Sequence, residues 1–350
     1  FTTIQGSGGA PDSFLGTAGV DVIALQNQSD ATFLGARQSS DTVTFTSFTG
    51  LVSNYSLYGG QGNDTLTANG ATNISSSFVA QNDGNDTITL NAVSSSTIQG
   101  NDGNDVITTN GAVTSALLNG NAGNDTLNAA AGAARGSIFG GQGFDQINLT
   151  GNFSSGSRIQ ANQDDDLITI AAGAVINGAT INGNEGNDLI TVNAITTFAT
   201  SSLYGGSGND TLNAAASLTA ITFVSNVGND NATGGGGNDS FFNDSGNDTI
   251  AGGAGNDTYT LTSGNNSVTT NAGTDSVSTS TGNDNVNGAA GGNLTITDLG
   301  GTNTLTSGAG TDTITGGVGA DTITGGGSDS LTGGAGADRL TYGALATMAT

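Results

Sequence analysis

Aspartates in glycine-rich loops are the residues of this sequence whose type and spacing could do chemistry. One such loop reads Gly59-Gly60-Gln61-Gly62-Asn63-Asp64-Thr65-Leu66-Thr67, and similar stretches occupy 205–213, 252–260 and 316–324. Glycine lets the backbone take left-handed conformations and turn tightly, with its carbonyl oxygens free. Hard divalent cations such as Ca²⁺ take about six to eight oxygen ligands from carboxylates and backbone carbonyls. The pattern therefore predicts cation binding by the loops.

The loop aspartates recur at two different intervals. Up to residue 230 the interval ranges from 19 residues, between Asp86 and Asp105, to 23 residues, between Asp41 and Asp64. Afterwards the interval is eight or nine residues, and we expect two regions, 1–230 and 231–350, in one continuous body. The predicted metal-ligating residues of the first region are Asp21, Asp41, Asp64, Asp86, Asp105, Asp125, Asp145, Asp166, Asp188, Asp210 and Asp230. Those of the second region are Asp239, Asp248, Asp257, Asp275, Asp284, Asp312, Asp321, Asp329 and Asp338.

Apolar residues keep a fixed distance from each loop aspartate. In the first region they stand seven residues before it, at Phe14, Leu34, Leu57, Val79, Ile98, Leu118, Ile138, Ile159, Ile181, Leu203 and Phe223. They also stand two residues after it, at Ile23, Val43, Leu66, Ile88, Ile107, Leu127, Ile147, Ile168, Ile190 and Leu212. In a nine-residue repeat the two positions coincide, as at Phe241, Ile250 and Tyr259. The constant phase predicts two apolar ladders in each region.

Each long repeat is then one full coil of two half-coils, of which only one has kept its aspartate. Nine residues before the aspartate, where a second carboxylate would stand, the chain has small uncharged residues. These are Ser77, Ser96, Ala116, Gly136, Ser157, Ala179 and Ser201. We therefore expect one row of cation sites along 21–230, and two rows on opposite edges from about residue 230 onward.

The alternation of polar and apolar residues after each aspartate is typical of β-strands, and a fixed short period is typical of solenoids. The sequence predicts an all-β fold, a right-handed parallel β-solenoid or β-roll. One turn should take ~20 residues before residue 230 and two nonapeptides, ~18 residues, after it. The two ends, at 1–4 and 340–342, look able to continue the coil, so we expect self-association through the ends or sides.

The repeated pattern Gly-Gly-x-Gly-x-Asp-x-U-x, in which U is apolar, resembles the repeats-in-toxin (RTX, hemolysin-type) family. The resemblance runs through the whole chain and implies that Ca²⁺ sits between same-edge loops of successive coils, held by aspartates and loop carbonyls. It also implies type I secretion, with folding outside the cell. Carried over residue by residue, it pairs Asp64 with Asp86, Asp105 with Asp125, Asp230 with Asp248, and Asp239 with Asp257.

Some loops depart from the pattern. Asn266, Asn293 and Asn303 offer a neutral amide where an aspartate is expected, and the register slips within 288–301, so weak or empty sites are expected there. Magnesium fits the loops less well than calcium, because it demands stricter octahedral geometry and keeps its waters. Extra carboxylates at Asp83, Asp102 and Asp164 are expected to be exposed turn residues.

Composition excludes several classes of function. The 350 residues carry 29 acidic and 4 basic side chains, a net charge of -25 and no Cys or His. Such acidity argues against nucleic acid and against an anionic membrane surface. Without Cys or His the chain has no disulfides, no thiolate zinc site and no imidazole general base. It has no long apolar run for membrane insertion, and because it begins at Phe1 we expect a piece of a longer protein.

The residues that remain favour a structural protein over an enzyme. No acid, base or nucleophile constellation interrupts the repeat, so no catalytic residue and no organic cofactor is expected. The favoured function is a calcium-stabilised extracellular structural protein of a bacterial cell surface: a surface-layer subunit, a sheath or filament component, or an adhesin stalk. A surface polysaccharide is a further candidate partner. The alternative is a calcium-binding secretion and folding module of a larger enzyme or toxin, which a catalytic domain elsewhere in the gene would indicate.

Overall fold

The computed structural model describes residues 13–15, 17, 19–25, 33–35, 38–45, 51–68, 73–288, 292–326 and 328–343. Residues 1–4, expected to continue the coil, lie outside the described residues. The chain divides into two compact units, Phe1–Asn184 and Glu185–Thr350. Within each unit the described strand pairings are parallel, and no described residue is helical. The expected all-β fold is confirmed, since each unit is a parallel β-solenoid of about 20 residues per turn, consistent with a right-handed β-roll.

Three parallel sheets, named A, B and C, form the first unit. The strands of sheet A are Ser13–Leu15, Phe33–Gly35, Ser56–Gln61, Phe78–Asp83, Thr97–Asp102, Leu117–Ala122, Ser137–Gln142, Arg158–Asn162 and Thr180–Glu185. Those of sheet B are Val22–Leu25, Thr42–Phe45, Thr65–Ala68, Thr87–Leu90, Val106–Thr109, Thr126–Ala129, Gln146–Leu149 and Leu167–Ile170. Those of sheet C are Leu51–Ser53, Asn73–Ser75, Val93–Ser94, Val113–Thr114, Gly132–Ala134, Asn152–Ser154 and Val175–Asn177.

The two expected apolar ladders fill the core of the first unit between sheets A and B. Leu57 pairs with Val79 in sheet A, and Leu66 pairs with Ile88 in sheet B. All four are at most 4% exposed, and the ladder positions of the following coils are buried as well. Because each buried Val, Leu or Ile contributes roughly 1.5–3 kcal/mol, the ladders are the main apolar stabilisation of the coil. The side chains of Phe14, Ile23 and Leu34 lie outside the described part.

Sheet C is a third apolar ladder, and the expectation of only two ladders in the long repeats was wrong. Its buried members are Val52, Ile74, Val93, Val113, Ala133, Phe153 and Ile176. All of them stand twelve residues before the aspartate of the next loop, except Phe153, which stands thirteen residues before Asp166. The extra residues of the long repeat therefore form a third short strand with its own core position.

Two parallel sheets, again named A and B, form most of the second unit. Strands of sheet A are Ser202–Ser207, Thr222–Val227, Ser240–Ser245, Thr258–Leu261, Gly273–Ser278, Gly292–Thr297, Thr313–Thr315 and Ser330–Thr332. Strands of sheet B are Leu189–Val192, Thr211–Asn213, Asn231–Thr233, Thr249–Ala251, Ser267–Thr269, Asn285–Asn287, Thr304–Thr306, Thr322–Gly325 and Arg339–Tyr342. One further short strand spans Thr197–Ala199. Among the described residues no helix is long and apolar enough to cross a membrane.

The period shortens inside the second unit. Asn231 lies beside Thr249 in sheet B, so a coil there takes 18 residues. One residue is inserted further on, where Gly273 pairs with Gly292. This insertion puts Leu294 opposite Asp275, so the expectation that Asn293 stands at an aspartate position was wrong.

Candidate metal centre

The loop aspartates of the first unit form one row at the starts of the sheet B strands, here called row B. In each coil the backbone N–H of the aspartate donates to Oδ1 of the aspartate one coil further along the chain, at 2.6–2.8 Å. The row runs through Asp21, Asp41, Asp64, Asp86, Asp105, Asp125, Asp145 and Asp166, all at most 4% exposed. Each aspartate therefore links two coils.

Row B recurs in the second unit with the same contact at 2.7–3.1 Å. Its members are Asp188, Asp210, Asp230, Asp248, Asn266, Asp284, Asn303, Asp321 and Asp338. The two asparagines take the aspartate position, as expected, and their amide oxygens accept the same N–H. All these aspartates are buried except Asp338, which is half-buried.

A second row, here called row A, precedes the sheet A strands of the second unit. Its members are Asp239, Asp257, Asp275, Asp312 and the half-buried Asp329. The backbone N–H groups of Ile221, Asp239, Asp257, Leu294 and Asp312 donate to their Oδ1 atoms at 2.7–3.0 Å. Carboxylates thus line the starts of both sheets of this unit, and Leu294 interrupts row A with an apolar side chain.

Serines take part of this role in the first unit. The Ser77 hydroxyl oxygen accepts the N–H of Tyr55 at 3.1 Å, and that of Ser96 accepts the N–H of Ser77 at 3.0 Å. A serine can replace the coil-linking Oδ1 of an aspartate but brings no charge and no second oxygen. Among the described loops of the first unit, buried carboxylates therefore lie in row B alone.

The second carboxylate oxygen is what a cation would bind. In both rows, Oδ2 atoms are buried and have no hydrogen-bond partner, at Asp41, Asp64, Asp86, Asp105, Asp125, Asp145, Asp230, Asp248, Asp257, Asp284 and Asp321. Burying an ionised oxygen without a partner costs several kcal/mol, on the order of the desolvation penalty of an ion. A row of such atoms requires either protons or cations.

Backbone carbonyls supply further oxygens beside these atoms. A Cβ on Gly120 would lie 2.0 Å from Asp125 Oδ2 and 2.6 Å from the carbonyl oxygen of Gly140, one coil further on. A Cβ on Gly140 would likewise lie 2.3 Å from Asp145 Oδ2 and 2.6 Å from the carbonyl oxygen of Ala161. Glycine at 120 and 140, five residues before the aspartate, thus leaves room for the carboxylate. A carboxylate and a carbonyl oxygen converge there without nitrogen or sulfur donors.

This donor set fits Ca²⁺, which takes carboxylate and carbonyl oxygens in variable geometry. Among the described residues no group of three or more Asp, Glu, His or Cys side chains could hold a metal ion. Binding would therefore depend on backbone carbonyls as much as on the aspartates. The pairs expected to share an ion, such as Asp64 with Asp86, lie in adjacent coils. Occupation by calcium at each pair stays a prediction.

Burial changes the protonation of the rows. The pKa of Asp64, Asp86 and Asp105 is raised to about 7, chiefly by burial. The hydrogen bond accepted from a backbone N–H lowers the pKa, and the charges of neighbouring carboxylates raise it. For Asp145 the same causes give a pKa of about 8, and for Asp257 about 6. At neutral pH the metal-free carboxyl groups of Asp64, Asp86, Asp105 and Asp145 are therefore partly protonated, and a cation would displace these protons.

Asparagines next to the aspartates form a second set of coil links that the sequence analysis missed. The backbone N–H of Asn85 donates to Oδ1 of Asn63 at 3.0 Å, and that of Asn104 to Oδ1 of Asn85 at 2.8 Å. These amides accept from the following coil, whereas the aspartates accept from the preceding one. Asn293 belongs to this set, since its Oδ1 accepts the N–H of Thr311 at 3.0 Å. The in-phase recurrence of Asn before Asp was the available signal.

Asp298 is a buried carboxylate outside the expected rows. It stands five residues before Asn303, at the position that Gly120 and Gly140 take before their aspartates, and it is 1% exposed. Its Oδ1 accepts the N–H of Gly300 at 2.6 Å, and the Thr279 hydroxyl donates to its Oδ2. Burial raises its pKa to about 6, and the nearby charges of Asp284 and Asp321 add to the effect. This coil thus keeps a buried carboxylate although row B has an amide there.

The extra carboxylates Asp83, Asp102 and Asp164 are exposed, as expected. Asp83 accepts from the Gln61 side chain at 3.3 Å, and Asp164 accepts from the N–H of Gly143 at 2.9 Å. They lie on the outside of the loops and belong to neither row.

Comparison with known proteins agrees with this geometry. A family model described as the RTX calcium-binding nonapeptide repeat (4 copies) matches residues 56–74, 95–112, 117–133, 179–194, 201–216, 224–259, 260–294, 297–327 and 323–345. No curated protein was found to be similar to the chain. The family matches cover more than half of the sequence and include coils of both units. The protein therefore belongs to the RTX calcium-binding repeat family.

Proposed function

We propose that the chain is a calcium-stabilised extracellular structural protein of a bacterial cell surface, as a surface-layer subunit, a sheath or filament component, or an adhesin stalk. The observation that carries the proposal is the set of buried Oδ2 atoms without partners, which occurs in each unit. Where these carboxylates are ionised, they need a cation to balance their charge. Calcium at extracellular concentrations would supply it, whereas the low free calcium of the cytosol would leave the chain unfolded until secretion.

A structural role is supported by the side chains that line two grooves of the first unit. The grooves of the first unit are lined by small polar residues such as Ser95, Ser115 and Ser137, or by Asn54 and Tyr55. Neither groove contains a carboxylate, imidazole or thiol that would act as an acid, base or nucleophile. The aspartates are committed to holding successive coils together. A scaffold without catalysis is the function that suits these surfaces.

Self-association is part of the proposal. Arg339–Tyr342 pairs with Thr322–Gly325, and Leu340 and Tyr342 in it are 41% and 55% exposed. Exposed apolar side chains such as these offer a surface on which another chain can pack. We place copies of this chain, joined through solenoid ends or sides, as the first partners, and surface polysaccharide as a second. The net charge of -25 disfavours nucleic acid.

The second candidate function is a calcium-binding secretion and folding module of a larger type I-secreted enzyme or toxin. It is favoured by the nearly continuous nonapeptide matches over 224–345. The neighbouring coding sequence distinguishes the two functions. A catalytic domain in the same gene supports the module, and further repeats or an anchoring domain support the surface role.

A calcium titration of metal-stripped protein tests the proposal. Far-ultraviolet circular dichroism would follow β-structure while light scattering follows particle size, with magnesium as the control ion. A cooperative gain of β signal with calcium alone, accompanied by growth in size, supports the surface protein. A gain of β signal in particles that stay monomeric at every concentration supports the module. If calcium leaves both signals unchanged, calcium-stabilised folding is wrong.

A further inference from the structure

Tyr259 brings a hydroxyl group into an apolar ladder of the second unit. It follows Phe223 and Phe241 in sheet A. The three rings stack with centroids 4.6 and 5.0 Å apart and interplanar angles of 6° and 11°. The Tyr259 side chain is 0% exposed. Because the stack fixes the ring, the direction of the hydroxyl group is set by the core and not by solvent.

The hydroxyl group points at the loop of Asp257. A Cβ on Gly252 would lie 1.9 Å from the Tyr259 hydroxyl oxygen and 2.3 Å from Asp257 Oδ2. Both oxygens are buried and lack a hydrogen-bond partner, apart from the backbone N–H of Gly252 that lies beside the Tyr259 hydroxyl oxygen. An unpaired buried polar group costs roughly 1–3 kcal/mol, and more when it is charged. Two such atoms at one point are explained by a third group that binds both.

The preceding coil provides a comparison without the hydroxyl. A Cβ on Gly234 would lie 2.3 Å from Asp239 Oδ2 and 2.2 Å from the carbonyl oxygen of Gly252. The third neighbour of this point is Cζ of Phe241, at 3.0 Å. The two loops therefore have the same carboxylate beside the same ring position. They differ by the phenolic oxygen and by one hydrogen bond, because Asp239 Oδ2 accepts the N–H of Gly235 at 2.9 Å whereas Asp257 Oδ2 has no such partner.

The surroundings of the hydroxyl are negatively charged. The carboxylate of Asp257 acts on it most strongly, followed by those of Asp275 and Asp239 in the adjacent coils of row A. A neutral phenol can donate its proton to a carboxylate and offer its oxygen lone pairs to a cation. Apolar packing alone explains the ring, since Phe241 fills the same place one coil earlier, but it does not explain the hydroxyl.

We propose that the Tyr259 hydroxyl is a metal-site group of row A, adding an oxygen to the hard cation held at the Asp257 loop. The site at the Phe241 coil lacks this oxygen. The inference rests on cation binding by the rows, which the proposed function also requires, and it adds a residue outside the repeated glycine-aspartate loop. Tyr259 thereby sets one site of row A apart from its neighbours in affinity.

Terbium luminescence tests this assignment on the full chain. Tb³⁺ binds in oxygen-lined calcium sites and emits strongly when a neighbouring tyrosine is excited. Tyr259→Phe repeats the ring already present at Phe241, so the variant should fold, which circular dichroism in Ca²⁺ checks. We expect it to lose most of the tyrosine-sensitised emission. In calorimetric titration with Ca²⁺ alone, one site should weaken by about tenfold.

Two matched variants complete the experiment. Tyr204→Phe, at a half-buried tyrosine of sheet A, should leave the sensitised emission and the calcium titration unchanged. Phe241→Tyr places a hydroxyl at the preceding coil and should increase the emission. Unchanged sensitised emission and unchanged calcium affinity in folded Tyr259→Phe would overturn the assignment while leaving metal binding intact. Absence of bound Tb³⁺ and Ca²⁺ in the wild type, shown by direct excitation and equilibrium dialysis, would overturn both this inference and the proposed function.

Discussion

The backbone N–H of Asp64 donates to Oδ1 of Asp86 at 2.6 Å, one coil further along the chain. This contact occupies one oxygen of the carboxylate, and Oδ2 of Asp86 remains buried without a partner. The two oxygens of each row aspartate thus have different roles. Oδ1 joins neighbouring coils whether or not a cation is present, whereas Oδ2 is stable there only with a cation or a proton. The roles are separable by substitution.

Asp125→Asn separates them in the middle of row B. The amide keeps an oxygen that accepts the N–H of Asp105, as Asn266 does for Asp248, but it removes the charge. In EDTA at pH 5, where protons on row B stabilise the metal-free fold, we expect a melting temperature close to that of the wild type, because the amide replaces a protonated and neutral carboxyl group. In calcium we expect a lower melting temperature and an affinity about tenfold weaker at the adjoining sites. Thermal melts and calorimetric titration measure both effects.

Two controls accompany this substitution. Asp102→Asn removes an exposed carboxylate outside the rows and should change neither measurement. Asp125→Ala also removes the acceptor of the Asp105 N–H, and it should cost about 1–3 kcal/mol with or without calcium. Equal destabilisation by Asp125→Asn in EDTA and in calcium would contradict the separate roles of the two oxygens.

The apolar ladders and row B could be predicted because the constant spacing between the apolar residues and the loop aspartates is enough to specify them. Leu66 and Asp64 keep the same spacing as Ile88 and Asp86, and residues with equal spacing stack in a solenoid. Sheet C was missed because the nine-residue repeat has no position that corresponds to its members, such as Val113. The comparison of the two repeats therefore did not reveal them. The sequence indicated a change of register within 288–301. Only the strand pairing shows that it is one inserted residue, which places Leu294 opposite Asp275.

Hydrogen-bond direction was beyond prediction from the sequence. Spacing places Asn85 beside Asn63 but does not say that the side chain accepts from the next coil, nor that Asp86 accepts from the preceding one. The Tyr259 hydroxyl was hidden for a related reason, since tyrosine counts as apolar in a ladder. The position of its oxygen follows only from ring stacking. Asp298 lies outside the period and carries no repeat signal.

Gly103 should tolerate no side chain. Its φ is +134°, and a Cβ would lie 1.8 Å from the carbonyl oxygen of Gly84 in the preceding coil. Gly103→Ala is expected to cost about 3 kcal/mol or more, from left-handed strain and the backbone clash together. Denaturant unfolding in saturating calcium measures the loss.

Gly156 is the matched control for this substitution. Its φ is +82°, but a Cβ there would have nothing within 4 Å. Gly156→Ala should therefore cost only the conformational strain, about 1 kcal/mol. Similar losses for the two variants would show that the coils can separate to admit a methyl group, against the close stacking described here.

Asp298 should compensate for the missing charge of Asn303. We expect Asp298→Asn to weaken calcium binding at one site of the second unit by about tenfold, because it removes the buried carboxylate of this coil. The amide oxygen can still accept from the N–H of Gly300, so the fold should persist in calcium. Calorimetric titration compares it with Asp244→Asn, an exposed carboxylate of the same unit. An unchanged titration for Asp298→Asn would mean that this carboxylate is purely structural.

Stability without metal should fall as pH rises. The pKa of Asp86, Asp105 and Asp125 lies at about 7 in the fold, above the ordinary value of 3.8, chiefly because the groups are buried. The folded state then binds more protons than the unfolded chain between these values, so its stability is greatest below pH 3.8 and is lost as pH passes 7. Metal-stripped protein should melt at a higher temperature at pH 5 than at pH 8. With saturating calcium the trend should reverse, because the ion needs the ionised carboxylates, and a metal-free melting temperature that rises from pH 5 to pH 8 would contradict the burial of charge in the rows.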